Sequence, residues 1–206
     1  MGRQFKIISR YYDDDRKLYK HSTIEFNPGI TILIGCNGSG KTTLLHQIKT
    51  QLDKTDTPNI LYDNLRDGGT NGREAAFFHG DDVLGATMMC SSEGECIALN
   101  LGTAARKFGY MMIHSEGNER WVLLDAIDSG LSIDQVQEVK NNLFHLMLDL
   151  EKDKELYIIC SANEYEMCVG ESCFNIVDGK YVEINNYEDY KKEILKTRKY
   201  KDKWNE

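Results

Sequence analysis

Apolar positions in the first half of the chain predict short strands around a glycine-rich loop and a helix. Residues 30–34 form an apolar run rich in β-branched side chains between Pro28 and Gly35, which is typical of a buried strand. Residues 42–52 follow with their leucines and Ile48 on one helical face. The pattern also predicts strands at 5–8, 24–26 and 60–62.

The second half of the chain alternates between strand and helix patterns. Residues 97–108 and 132–150 have helical spacing, and Ser132 with Gln135 matches a capping box at the start of the second helix. Further predicted elements are strands at 121–124 and 157–160, a hairpin of 174–177 and 181–184 around Asp178 and Gly179, and a charged helix at 187–204. The alternation predicts an α/β fold with a mostly parallel sheet, a β-rich N-terminal part, and a C-terminal hairpin followed by a helix.

Composition and charge exclude several classes of protein. Apolar residues make up 41% of the 206 residues, which is enough for a substantial core. No apolar run approaches the roughly 20 residues that a bilayer requires. The formal charge of −8 gives no general attraction to nucleic acid or to an anionic membrane. Cys36 and Cys160 fall in segments expected to be buried or close to phosphate, so we expect reduced thiols and a cytoplasmic protein without membrane insertion.

The loop after the first buried strand carries the strongest chemical signal. Its sequence, GCNGSGKT, fits the Walker A pattern G-x-x-x-x-G-K-[ST]. Glycines let the backbone curl so that successive N–H groups point at a phosphate, and the helix that follows adds the positive end of its dipole. We expect ATP to be bound by Gly35, Asn37, Gly38, Ser39, Gly40, Lys41, Thr42 and Thr43.

A carboxylate at the end of a buried strand matches the second half of this pattern. The apolar run 121–124 ends in Asp125, and its position after a Walker A loop indicates a Walker B strand. Lys41 is expected to contact the β- and γ-phosphates, and the Thr42 hydroxyl to bind Mg²⁺. Asp125 is expected to hold the same ion, directly or through water.

Four segments together resemble the ABC ATPase superfamily, specifically its SMC/RecF-like head domains. The first is the Walker A loop. The second, SSEGE at 91–95, is similar to the signature motif L-S-G-G-[EQ], with Glu93 in place of the first glycine. The others are DSGLS at 128–132, similar to the D-loop, and IICSANE at 158–164, similar to the strand and switch loop that usually ends in histidine. The resemblance covers roughly residues 5–184, in the family's order.

The resemblance implies that two chains enclose ATP between them. Each nucleotide would lie between the Walker A loop of one copy and the signature of the other, where Ser92 and the backbone near Gly94 would touch the γ-phosphate. Asp63 or Asn64 occupies the approximate place of the family's Q-loop glutamine. We favour Asn64 as the contact to Mg²⁺ or water, and an ordinary turn residue is an equal interpretation. The candidates for stacking on adenine are Tyr11, Tyr12 and Tyr19, with a core or surface role favoured for each.

Two positions depart from the family's catalytic pattern. Ala126 stands where the family has the glutamate that polarises water, and Asn163 replaces the switch histidine. One interpretation is slow hydrolysis through positioning alone. A second is a relocated carboxylate, either Asp128, which points to the same side if the chain stays extended, or Glu164. A third is an engineered change that traps ATP. We favour a natural, weakly active ATPase, because Asn163 departs in the same direction as Ala126.

The spacing of the motifs predicts the domain organisation. Residues 1–186 are expected to form the ATP-binding domain, in which 63–90 is a loop or insertion too short for coiled-coil arms. Residues 187–206 are expected to be a charged helix or tail, either solvated or in contact with nucleic acid or a protein. The resemblance to SMC/RecF-like heads implies an ATP-dependent homodimer that acts through an unidentified effector protein in DNA repair, recombination or phage defence. The alternatives are a catalytically weak assembly module and a soluble subunit of an ABC transporter.

Overall fold

A computed structural model describes residues 2–9, 17–64 and 93–203. The strands are β1 (Arg3–Lys6), β2 (Thr23–Phe26), β3 (Gly29–Ile34), β4 (Asn59–Asp63), β5 (Glu119–Asp125), β6 (Glu155–Ser161), β7 (Ser172–Asn175) and β8 (Lys180–Val182). The helices are α1 (Lys41–Lys54), α2 (Glu93–His114), α3, α4 (Tyr165–Cys168) and α5 (Tyr187–Asp202). Helix α3 is made of three consecutive segments, Ile133–Val139, the π-helical Lys140–His145, and Leu146–Leu150.

The main sheet has six strands in the order β4-β5-β6-β3-β7-β8. Its first five strands run parallel, and β8 pairs antiparallel with β7 through the predicted hairpin. Strands β1 and β2 form a separate antiparallel pair. The predicted α/β class with a mostly parallel sheet is therefore confirmed. Because β3 lies between β6 and β7, the loop that follows β3 has the ends of β5 and β6 on one side and the end of β7 on the other.

Both faces of the sheet are covered, which explains the continuous apolar runs in its central strands. In β5, Trp121 and Leu123 pack against α1 and the β1–β2 pair, whereas Val122 and Leu124 pack in the core formed with α2 and α3. Trp121 is fully buried and stacks on Tyr157, its partner on β6, with ring centroids 4.0 Å apart. These packed layers hold the parallel strands β3, β5 and β6 with their carboxyl ends at the same edge of the sheet.

The predicted boundaries differ from the observed ones mainly at the chain's N-terminal strand. The predicted strand at 5–8 begins two residues earlier, at Arg3, and Ile8 lies outside it and is exposed. Helix α2 is longer than the predicted 97–108, and the short helix α4 was not predicted. Most of the predicted insertion at 63–90 lies outside the described residues. In the described part of the chain, no helix has the length and apolar character needed to cross a membrane.

Candidate functional site

The loop between β3 and α1 has the backbone shape of a phosphate-binding loop. Gly38 and Gly40 have φ angles of 72° and 98°, in the left-handed region that glycine adopts without steric cost. Helix α1 begins at Lys41, directly after this turn, so its N-terminal N–H groups face the loop. The Ser39 hydroxyl is buried and has no hydrogen-bond partner among the described residues. The loop thus offers free donors at the positive end of a helix.

Lys41 is buried at the base of this loop. Its Nζ donates a hydrogen bond of 2.7 Å to the carbonyl oxygen of Gly35. Burial lowers the pKa of Lys41, and the nearby carboxylates of Asp125 and Asp128 oppose that shift. A buried ammonium group that donates to a neutral carbonyl is well placed to gain from an arriving polyanion.

Side chains from outside the loop hold its backbone in place. The Tyr19 hydroxyl donates to the carbonyl oxygen of Gly40 at 2.7 Å, and the amide of Cys36 donates to Thr197 Oγ1 at 2.9 Å. Tyr19 is completely buried, and burial raises its pKa. Stacking of Tyr19 on adenine is therefore contradicted, because its ring supports the loop from within the core. Tyr11 and Tyr12 lie outside the described residues.

Asp125 ends strand β5 beside the loop, as the Walker B pattern predicts. Its carboxylate accepts a hydrogen bond from the hydroxyl of Ser161, the last residue of the neighbouring strand β6. The same Ser161 oxygen accepts the amide of Ala126 at 2.8 Å. Asp125 is nearly fully buried. The parallel pairing of β5 and β6 thus brings these polar groups to the edge of the sheet at which β3 ends and the loop begins.

A pocket of about 500 Å³ joins the loop to Asp125. Among the residues predicted to bind nucleotide or metal or to act in catalysis, its wall includes Asn37, Gly38, Ser39, Gly40, Lys41, Thr42, Thr43, Asp125 and Asn163. Ala126 and Ser161 also line it, at the same side as Asp125. The size is within the usual range for a small-molecule site. Asn64, Asp128 and Glu164 do not line this pocket.

Asn64 holds the backbone that follows β5. Its Nδ2 donates to the carbonyl oxygens of Ala126 and Ser129, at 3.0 and 3.2 Å. Its Oδ1 accepts a longer hydrogen bond of 3.4 Å from the Tyr62 hydroxyl. Contact between Asn64 and Mg²⁺ stays a prediction, and this geometry favours a structural role instead.

The chain does not stay extended after Asp125. The prediction that Asp128 points to the same side as the catalytic position assumed an extended chain, so that assumption was wrong. Ala126 has a φ of 50°, in the left-handed region, and the amide of Ser129 donates back to the carbonyl oxygen of Ala126 at 3.1 Å. This turn buries Asp128, whose Oδ2 accepts the backbone amides of Asn163 and Glu164, each at 2.6 Å. Burial raises the pKa of Asp128, and the two amide hydrogen bonds partly oppose that rise. Asp128 therefore fastens the switch loop.

The remaining predicted residues lie on the switch loop and in the signature segment. Asn163 lines the pocket, and its carbonyl oxygen accepts a hydrogen bond of 2.5 Å from the Tyr190 hydroxyl of α5. Glu164 is exposed and does not line the pocket. A catalytic role for its side chain stays a prediction. Ser92 lies outside the described residues. Gly94 is in the first turn of α2, which begins at Glu93.

Several pocket residues were not found from the sequence. They are Lys17, Leu18, Ser161, Val177, Thr197, Tyr200 and Lys201, whereas Cys36 lines the pocket as part of the predicted loop. Ser161 could have been found, because it directly follows the predicted buried strand 157–160, within the segment 158–164 that resembles the family's strand and switch loop. The three residues from α5 carried no local signal, since a charged C-terminal helix is typical of a solvated surface.

Comparisons with known proteins agree with this geometry. A family model described as an AAA domain (AAA_23) matches residues 15–206. The chain is similar to the crystal structure of a nucleotide-free ATP-binding cassette from an ABC transporter, with 13% identity, a TM-score of 0.52 and 97% of each chain covered. No curated protein shows significant sequence similarity. The chain therefore belongs to the AAA_23 family of AAA-domain proteins and has the α/β fold of an ABC-type P-loop ATPase.

Proposed function

We propose that this protein is a slow ATP-hydrolysing switch that dimerises around ATP and acts through a partner protein. The observation that carries the proposal is the meeting of the loop, Lys41 and Asp125 in one pocket of about 500 Å³. Such a site supplies amide donors, an ammonium group and a carboxylate, which are the groups that phosphoryl chemistry requires. The division into an ATP-binding domain at 1–186 and a tail at 187–206 is part of this proposal.

The residues of the loop suit a triphosphate. The buried Ser39 hydroxyl has no protein partner among the described residues, so a phosphate oxygen would satisfy it. The loop has no room for a side chain at Gly40, where a Cβ would lie 2.9 Å from the hydroxyl of the buried Tyr19. Mg²⁺ would be held by Thr42 and Asp125, and when bound it would neutralise charge on the phosphates.

Slow turnover is proposed because the usual water-polarising group is replaced. Ala126 lines the pocket next to Asp125 and carries no acid or base. Asn163, also at the pocket, donates and accepts hydrogen bonds but does not titrate. Asp128 is occupied by the two switch-loop amides. Acceleration would then come from positioning and from the charge of Lys41.

Dimerisation is proposed from the resemblance of residues 91–95 to the ABC signature. In that arrangement Ser92 and the amides near Gly94 would contact the γ-phosphate bound by the other copy. Sedimentation velocity with and without Mg-ATP tests this directly. We expect ATP to convert a monomer to a dimer, and Ser92→Arg to abolish the dimer while nucleotide binding is kept. An unchanged sedimentation coefficient of the wild type at saturating ATP would reject the sandwich.

A second candidate is an assembly module that binds ATP and scarcely hydrolyses it, which Ala126 favours. Phosphate release measured under single-turnover conditions separates the two: ATP that stays intact within a stable dimer favours the module. A transporter subunit would co-purify with a membrane protein.

The proposed cellular role rests on two observations. Family resemblance suggests DNA repair, recombination or phage defence, and the charge of the tail suggests contact with nucleic acid. Pull-down from the native host tests both.

A further inference from the structure

Helix α5 packs against the loop between β3 and α1 and is held there by hydrogen bonds. Thr197 Oγ1 accepts the amide of Cys36 at 2.9 Å, and Lys201 Nζ donates to the carbonyl oxygen of Asn37 at 3.0 Å. The Tyr190 hydroxyl donates to the switch loop at Asn163. These three residues, spaced seven and four apart in the sequence, bring one side of α5 against both loops of the site.

The hairpin side of α5 is anchored as well. Lys196 Nζ lies 2.6 Å from Asp178 Oδ2, and Asn175 Nδ2 donates to Glu193 Oε2 at 2.6 Å. Asp178 also pairs with Lys20 at 2.5 Å. The helix is therefore held at both the β7–β8 hairpin and the loop by contacts within the protein itself.

The pocket has two chemically different sides. Asp125 ends β5, Ser161 ends β6 and Asn163 follows β6, and both strands lie on one side of β3. Val177 follows β7 on the other side, where the amide of Lys20 donates to its carbonyl oxygen at 2.9 Å. Leu18 and Tyr200 line the pocket too, and Lys20 Nζ lies 5.2 Å from the Tyr200 ring centroid, which places Tyr200 on the Val177 side. The side with Asp125 is acidic and polar, whereas the other side presents apolar surface from Val177 and the Tyr200 ring.

Lys201 adds a second cation at the loop itself. Its Nζ would lie only 2.7 Å from a Cβ at Gly38, so it sits against the outer turn of the loop. Lys41 reaches the same loop from α1 through its bond to Gly35. Two ammonium groups on one phosphate loop favour a polyanion more than one does.

We propose that α5 completes the nucleotide site, with the Tyr200 ring contacting the adenine base and the Lys201 ammonium contacting a phosphate of the same ATP. This inference rests on the proposed ATP binding and goes beyond it by assigning the base and a second phosphate contact to the C-terminal helix. The base lies on the apolar side of the pocket, and the phosphates extend along the loop towards Asp125. An aromatic ring provides stacking that is tolerant of base identity, so this contact supplies affinity for a base without selecting among bases.

Calorimetric titration with two probes, Mg-ATP and inorganic tripolyphosphate, separates the two contacts. Tyr200→Ala is expected to weaken ATP about tenfold and to leave tripolyphosphate within about twofold, because only ATP carries a base. Lys201→Ala is expected to weaken both probes by about fivefold or more, because it removes a charge-assisted contact to phosphate. Tyr200→Phe keeps the ring and should bind as the wild type does.

The matched controls are Tyr187→Ala and Lys199→Ala, which change exposed residues of the same helix that do not line the pocket. Both should bind each probe with wild-type affinity. Tyr200→Leu removes the aromatic ring but keeps apolar contact with the core. If Tyr200→Ala lowers the melting temperature of the protein, the affinities of Tyr200→Leu for the two probes replace those of the alanine variant. Wild-type affinity for ATP in both Tyr200→Leu and Lys201→Ala overturns this inference alone. A wild type that binds neither probe overturns it together with the proposed function.

Discussion

Replacement of Asp128 tests how the turn after β5 controls the switch loop. In Asp128→Ala, the backbone amides of Asn163 and Glu164 lose the oxygen that accepts both of them at 2.6 Å. Each hydrogen bond to a charged acceptor contributes about 1.5–3 kcal/mol. The gain is reduced by the burial of the carboxylate, whose Oδ1 has no hydrogen-bond partner among the described residues. We therefore expect a net loss of about 3 kcal/mol in the free energy of unfolding.

This loss is large enough to be measured by urea unfolding followed by far-UV circular dichroism. For a domain of this size, about 3 kcal/mol corresponds to a fall of roughly 6–12 °C in the melting temperature. Asp149→Ala is the matched control, because Asp149 is exposed and its ion pair, with the exposed Lys152, lies at the surface. A change below about 0.5 kcal/mol in Asp128→Ala would refute the role given to this carboxylate.

Asp128→Asn separates positioning from general-base catalysis. The amide oxygen of asparagine can still accept both backbone amides, so the loop should stay in place with a loss of only about 1 kcal/mol. If Asp128 acts by positioning, Asp128→Asn keeps most of the ATP turnover and Asp128→Ala loses it. A general base would lose turnover equally in both variants, because neither side chain can accept a proton. Steady-state phosphate release at saturating ATP provides this comparison.

Three further changes test other parts of the site. Gly38→Ala should weaken ATP binding at least about tenfold in a calorimetric titration, because a φ of 72° is strained for alanine and the Lys201 ammonium, 2.7 Å from the new Cβ, would have to move away from the loop; unchanged affinity would contradict this. Ala126→Gly should raise the free energy of unfolding by about 0.5–1 kcal/mol, because it relieves the left-handed backbone at φ 50°, and a decrease in urea melts would count against the strain. Burial raises the pKa of Asp178, but hydrogen bonds from Lys196 and Lys20 outweigh it and leave the pKa below 3.8. The stability it contributes is complete above that unfolded value and is lost as the pH falls through the folded pKa, so the unfolding free energies of wild type and Asp178→Asn should converge in strongly acidic solution and differ at neutral pH. A difference that does not change with pH would exclude this linkage.

The parts of the site that could be predicted from sequence are those set by local chemistry. The loop from Gly35 to Thr42 is specified by its own glycines, and the strand before it and the helix after it follow from adjacent apolar spacing. Asp125 could be placed because a buried parallel strand must end at the same edge of the sheet. Each of these inferences uses residues that are neighbours in the chain or in one sheet.

The parts that could not be predicted depend on contacts between distant residues or on unusual backbone geometry. The contact of α5 with the loop joins Thr197 to Cys36 across 161 positions, and nothing in the composition of a charged helix indicates that partner. The left-handed conformation of Ala126 has no sequence signal, because alanine rarely adopts it and the surrounding hydrogen bonds impose it. Because of that turn, Asp128 does not line the pocket, as an extended chain would have predicted, and instead accepts hydrogen bonds from the switch loop.

Direct titration of the chain with Mg-ATP tests the central claim, that the loop and Lys41 hold a triphosphate. Wild-type protein is expected to bind one ATP per chain, and Lys41→Ala to show no measurable binding, because it removes the buried ammonium group at the base of the loop. Lys54→Ala, an exposed lysine at the far end of the same helix, is the control and should bind normally. Equal ATP affinity in Lys41→Ala and the wild type would contradict the assignment of this pocket.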